Sequence, residues 1–513
     1  SLAFDQAAEF FAEALELGAH DDATRRGLRI ELATALMHAG RGPEAAATFV
    51  TAAQGAEPAV RLDCQRQAAE QWIITGHLQQ GMAALRASLD DIDEPTAASP
   101  RRALARVLWN RAWLRARGTR SVQRLESQVP VETLRRLDVL RAVAHGLAMI
   151  DNIRGADFNG RYLLLALRTG EVRRLVGALA TEVVFLASQG GRAGRQARRL
   201  FGELAELAQA CTDRPYARTW MLLADGAASF FEGRFAAAAA ALAQAEEVFA
   251  EGPRGLTYEK NNTRVFRVHA LRMLGAVQQH GALITELVRT GRQRGDRYLE
   301  TTLRLLQVQS LLARGAVEEA GRNVDEVAWT PPEDGYHLQH WYELRARVEL
   351  ALYQGDAAAA LARLDRDFTA LRRSMLLRVK LVRADAAYLR GRLVLAAAHA
   401  GHAPAHGRAE VARIVAQLDG EQVGYATVFA RLLRAGLGAD AGVDPVRELR
   451  QAVAVAAEHD MAIQRAAAQT RLAELCGGAE GAALRADVAR YVADHGIVEP
   501  ERFFAIAAPG RAR

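Results

Sequence analysis

ARTWMLLADGAASFFEGRFAAAAAALAQAEEVFAE, residues Ala217 to Glu251, reads as two helices joined at Glu232-Gly233-Arg234. After the turn, Phe235, Ala238, Leu242, Ala245 and Phe249 recur at three- and four-residue steps, the spacing that lays one apolar stripe along a helix. Gly226, seven residues before the turn glycine, puts a minimal side chain where two antiparallel helices come closest. Such a helical hairpin cannot bury its stripes alone. It calls for copies of itself on both sides.

The turn glycine recurs at Gly40, Gly76, Gly118, Gly155, Gly190, Gly233, Gly275, Gly315, Gly355, Gly401, Gly438 and Gly477, with a period near 40 residues. Twelve turns predict about twelve helix-turn-helix repeats stacked into an all-α, right-handed superhelical solenoid. It divides into N-terminal repeats (1–118), central repeats (119–330) and C-terminal repeats with a cap (331–513), all parts of one continuous array. Thr330-Pro331-Pro332 is read as a helix stop, because proline lacks the N–H and clashes one turn back. Trp109 and Trp113 lie one turn apart and, with Trp220, Trp341 and Tyr342, are read chiefly as packing between repeats.

Composition supports this. Half the 513 residues are hydrophobic but only 6% aromatic, and alternating β-branched runs are scarce. No apolar window is long enough for a membrane span, and the first residues lack the basic and apolar layout of a secretion signal. Cys64, Cys211 and Cys476 are odd in number and far apart. These features predict a cytoplasmic protein without a membrane partner. The chain opens inside an amphipathic segment, Leu2 to Leu17, and so reads as a piece of something longer. The net charge is +6, yet only Lys260 and Lys380 are lysines among 66 basic residues. That skew reflects a GC-rich genome rather than a phosphate-binding face, where Lys serves as well, and argues against a nucleic-acid partner.

Gly226, Phe235, Ala238 and Leu242 occupy the small, aromatic, alanine and large apolar places of a tetratricopeptide repeat, which this unit resembles; Pro332 matches the proline that often ends one. Other units depart from the pattern, with Val268, Val308 and Val348 at the small place. A second resemblance is carried by Glu126 to Pro130, Ile150 to Phe158 with Arg161 to Leu167, His337 to His340, and Arg373-Ser374 with Leu376 to Arg378. These segments look like the C-terminal region of large bacterial serine/threonine protein kinases that also carry a signalling-type ATPase module. The resemblance implies a regulatory tail whose catalytic domains would precede Ser1.

Catalytic chemistry is not legible in the chain. Lys260 and Lys380 do not follow glycine-rich loops, Asp157-Phe158 and Asp367-Phe368 are not followed by glycine, and no His-Arg-Asp triplet occurs. His399, His402 and His406 straddle a Gly-Pro loop without a nearby carboxylate and are read as solvent-exposed rather than as metal ligands. No metal or cofactor is expected. Two clusters are candidates for the wall of a binding groove: Asp151, Arg154, Asp157 and Arg161, and His337, His340 and Trp341. For the first, the alternative is an ion-pair ladder between adjacent helices, and for the second, core packing. The reading is a non-catalytic sensor and protein-interaction solenoid. Its groove would take a protein, a peptide or a small effector and regulate an attached kinase or ATPase module. A free-standing scaffold, a nucleic-acid-binding repeat protein and an unrecognised enzyme are the rival readings.

Overall fold

A computed structural model describes residues 2–251, 256–326 and 336–509. Among the described residues there are 25 α-helices and no strand beyond one isolated bridge between Arg124 and Glu171. The first eight are α1 (Leu2–Leu17), α2 (Asp22–Ala39), α3 (Gly42–Ala53), α4 (Pro58–Ile74), α5 (Leu78–Asp90), α6 (Pro100–Arg117), α7 (Val131–Ile150) and α8 (Asn152–Thr169). The middle of the chain carries α9 (Val172–Gln189), α10 (Gly191–Ala210), α11 (Arg214–Phe231), α12 (Phe235–Glu251), α13 (Thr257–Leu274), α14 (Val277–Gln293), α15 (Arg297–Ala313), α16 (Val317–Asp325) and α17 (Leu338–Gln354). It ends with α18 (Ala357–Arg373), α19 (Lys380–His399), α20 (Gly407–Asp419), α21 (Gly424–Leu437), α22 (Pro445–Glu458), α23 (Ala462–Leu475), α24 (Gly478–His495) and α25 (Pro500–Ala507).

The hairpin read at Gly233 is present as α11 and α12. Phe235, Ala238, Leu242 and Ala245 are buried, and a Cβ on Gly226 would stand 2.5 Å from Leu242 Cγ. Ten of the twelve glycines used as a ruler have positive φ at helix ends, from Gly40 to Gly438. That is the left-handed region that a Cβ disfavours. Gly155 is a correction: it lies inside α8, and the turn before that helix is at Asp151. Its small size serves packing instead, because a Cβ there would sit 2.7 Å from the Ala148 backbone nitrogen of α7. The turn after α8 belongs to Gly170, at φ +79°. Gly477 is likewise displaced, with Gly478 taking the positive φ. Thr330, Pro331 and Pro332 lie outside the described residues.

Most helices pack on the next, as a series of helical repeats requires, with α6 packing on α8 and α25 on α23 and α17. From α9 to α21 the odd-numbered helices also pack side by side on one another, forming an inner layer. One apolar core runs from Leu62 to Ala508, and a smaller one around Phe49 joins α1 to α4.

The hairpins do not touch only their neighbours. A side chain at Gly190 would run into Lys380, at Gly233 into Tyr425 and at Gly275 into Ile463, and one at Gly315 would touch Val498. These partners lie 190, 192, 188 and 183 residues ahead, and nearer the start Gly40 meets Arg294 and Gly76 meets Tyr298, 254 and 222 residues ahead. Hydrogen bonds accompany two of these long-range contacts: beside Gly315 the Val498 N–H donates to the Ala313 carbonyl at 2.9 Å, and beside Gly76 the Arg297 N–H donates to the Thr75 carbonyl at 3.2 Å. The chain closes on itself instead of extending as an open rod.

Candidate functional site

The inner helices enclose a cavity of about 200 Å³. Its wall draws on α9, α11, α13, α15, α17 and α19, so residues spread over two hundred positions meet there. Several helices contribute a stripe at helical spacing, such as Thr181, Val184, Phe185 and Ser188 from α9 and Leu338, Trp341, Tyr342 and Arg345 from α17, while α11 and α15 each contribute an adjacent pair. The longest stripe belongs to α13, where Tyr258, Asn262, Phe266, His269 and Arg272 descend one face.

The wall is rich in aromatic side chains, among them Phe185, Phe230, Phe266, Tyr258, Trp341 and Tyr342. Phe266 meets Phe230 and Phe231 edge-on, each with ring centroids 5.7 Å apart, an arrangement favoured by the ring quadrupoles. His269 and the Tyr342 hydroxyl share a 2.9 Å hydrogen bond. Burial first, then repulsion from Arg345 and Arg272, holds the His269 pKa well below its ordinary value, so the ring is neutral at pH 7.

The polar end of the cavity is a buried charge cluster. Arg272 and Arg345 face Asp385 at 3.7 and 3.6 Å and Glu349 at 3.9 Å each. Arg392, behind them, donates to the Ile506 carbonyl at 2.9 Å. Three guanidinium groups against two carboxylates leave one positive charge in excess. Burial, then the field of Arg345, brings the Arg272 pKa down to about 10 despite both acids.

Trp341 is brought to this wall, fully buried. His337 and His340 are not on it. They form the start of α17, where the His337 N–H donates to His340 Nδ1 at 2.8 Å and Tyr336 stacks on the His340 ring. Burial, followed by the field of His337, lowers the His340 pKa to about 4.

Asp151, Arg154, Asp157 and Arg161 stand together, but at the junction of α8 with α6 and the segment before it. Asp151 caps α8 and accepts from Arg154 at 2.8 Å, while Arg154 also donates to the Ala97 carbonyl at 3.1 Å. Asp157 is fully buried and accepts from Arg161 at 2.6 Å and from Asn110 at 3.3 Å. Burial raises its pKa, against the pull of Arg161 and Arg106. Arg161 extends over Phe158 to Glu94 and the Pro95 carbonyl. Every partner is already within the protein, which is the pattern of a clasp.

Trp109 and Trp113 are a further correction: they are 71% and 55% exposed, with Leu108 beside them, and do not pack between repeats. The side chains facing inward on α6 are Ala103, Val107, Arg111 and Leu114. Among the described residues no helix is long and apolar enough to cross a membrane. No family model and no curated protein matched the chain.

Proposed function

We propose that the chain is a non-catalytic sensor module, a right-handed superhelix of tetratricopeptide-like hairpins that takes a small effector into its central cavity. The observation that carries this reading is the composition of the wall, to which the six inner helices α9, α11, α13, α15, α17 and α19 all supply side chains. A ligand touching all six favours one relative placement of the hairpins, and any other placement loses contacts. Because hairpins far apart in the sequence are in direct contact from Gly40 to Val498, a change of pitch at the cavity is passed to both ends of the chain. The attached signalling module, on the resemblance to bacterial serine/threonine kinases, is the recipient of that change. A small effector suits the volume better than a peptide, since a cavity of roughly 150 Å³ holds a benzene-sized body and a helix is about 10 Å across.

A protein-interaction role has its own support in exposed Trp109, Trp113 and Leu108, since aromatic side chains of this kind anchor interfaces.

The effector reading is tested by ligand-observed NMR with a mixture of small metabolites, comparing the native chain with Val184→Trp, which fills the cavity. Signals attenuated by the native chain alone support it. Identical spectra with the two chains count against it.

A further inference from the structure

Two other buried arginines are hydrogen-bonded to carboxylates: Arg111 donates to Glu182 at 2.8 Å, and Arg174 to Asp138 at 2.8 Å. Arg345 differs. Its side chain is 3% exposed and lines the cavity, yet its ion pairs to Asp385 and Glu349 are 3.6 and 3.9 Å long, beyond hydrogen-bond reach. Its buried Nε–H has no hydrogen-bond partner in the protein, and neither has that of Arg272. A guanidinium carries five N–H donors in a planar fork that matches a carboxylate. Leaving such donors unmet in a buried place is costly, so the arrangement favours an acceptor from outside the chain.

We propose that the effector is a small organic monocarboxylate, its carboxylate on the fork of Arg345 beside Arg272 and its apolar body among Phe230, Phe266 and Trp341. This rests on the effector-binding reading above and names the chemistry of that site. One negative charge offsets the single positive excess of Arg272, Arg345 and Arg392 over Glu349 and Asp385. A dianion leaves the buried cluster negative, which low dielectric penalises. A neutral molecule leaves the excess charge where it is. The volume sets the body at about one ring with a short side chain, given that roughly 150 Å³ holds a benzene.

The test uses probes sharing one body: phenylacetate, phenylacetamide, phenethylamine and benzylphosphonate, titrated into the full chain by calorimetry and by Trp341 fluorescence. Phenylacetate is expected to bind at least about tenfold more tightly than the amide, the amine or the phosphonate. Arg345→Gln is expected to erase the preference for carboxylate over amide while still binding the amide. Arg345→Lys, which keeps the charge without the fork, keeps part of the preference. Circular dichroism establishes that each variant is folded. Equal binding of acid and amide by the native chain overturns the monocarboxylate while leaving the effector reading intact. So does a preference that survives Arg345→Gln. Failure of all four probes at about 10 mM overturns the monocarboxylate. If the metabolite mixture also fails, the effector reading falls with it.

Discussion

The Tyr491 hydroxyl donates to the Gly275 carbonyl at 2.7 Å, joining α24 to the end of α13 across 216 residues of sequence. The same glycine has φ +74°, and a Cβ on it would stand 2.8 Å from the Ile463 backbone nitrogen. The last hairpins therefore bear on the helix that carries the longest stripe of the cavity wall.

Replacement of Gly275 separates backbone strain from this contact. Gly355 has a similar φ, +84°, but open space around its Cβ position. Gly355→Ala is expected to cost about 1 kcal/mol, the strain of a left-handed alanine alone. Gly275→Ala is expected to cost about 1–2 kcal/mol more, because α23 must move aside, and Tyr491→Phe about 1 kcal/mol. Urea denaturation measures all three, and equal losses for the two alanines would mean that α23 does not bear on the turn.

The charge cluster makes an asymmetric prediction. Arg345→Gln leaves Arg272 and Arg392 balanced against Glu349 and Asp385, and stability is expected to stay within about 1 kcal/mol of the native chain. Glu349→Gln instead raises the buried excess to two positive charges and is expected to cost about 3 kcal/mol. Chemical denaturation at pH 7 compares them, and a larger loss for Arg345→Gln would contradict the excess of cation.

Asp296 supplies a pH dependence. It caps α15, accepting from the Leu299 N–H at 2.9 Å and from Asn261 at 2.5 Å, yet burial dominates and pushes its pKa from 3.8 to about 7. The folded chain holds this proton more tightly than the unfolded chain does. Its contribution is therefore fully present below about pH 4 and is lost as pH climbs through 7. Asp296→Asn keeps a capping oxygen and does not ionise. The variant is expected to gain on the native chain between pH 4 and 7, by on the order of 4 kcal/mol at the plateau. Denaturation across that range reads the gap, and a gap independent of pH would exclude a shifted Asp296.

The tryptophans divide by burial. Trp109→Ala and Trp113→Ala are expected to change stability by less than about 0.5 kcal/mol, whereas Trp341→Ala is expected to cost about 3–5 kcal/mol. Thermal denaturation checks this, and a large loss at Trp109 would imply packing that its exposure does not show.

The hairpins were legible because their information is local: the stripe from Phe235 to Phe249, the close approach at Gly226 and the positive-φ glycines each reside within one unit. Gly155 misled because a glycine at a helix crossing and a glycine in a turn look alike in a sequence. The cavity was scarcely legible. Trp341 was singled out, but Arg345, Arg272 and Asp385 look like ordinary surface charges, and only convergence of distant helices buries them. One signal was present, the mixed aromatic and polar stripe of Tyr258, Asn262, Phe266, His269 and Arg272, too polar for a core face and too aromatic for a solvated one. Asp151, Arg154, Asp157 and Arg161 were found as a cluster, while their partners Ala97, Asn110 and Glu94 lie too far back in the chain for spacing to reveal.

Hydrogen–deuterium exchange of the full chain, with and without whichever of phenylacetate or phenylacetamide binds more tightly, tests the shared wall most directly. Added protection is expected together in α9, α11, α13, α17 and α19, and also in α23 and α24, which lean on α13. Protection confined to a single hairpin, or to the exposed face of α6, would contradict a central cavity that couples the repeats.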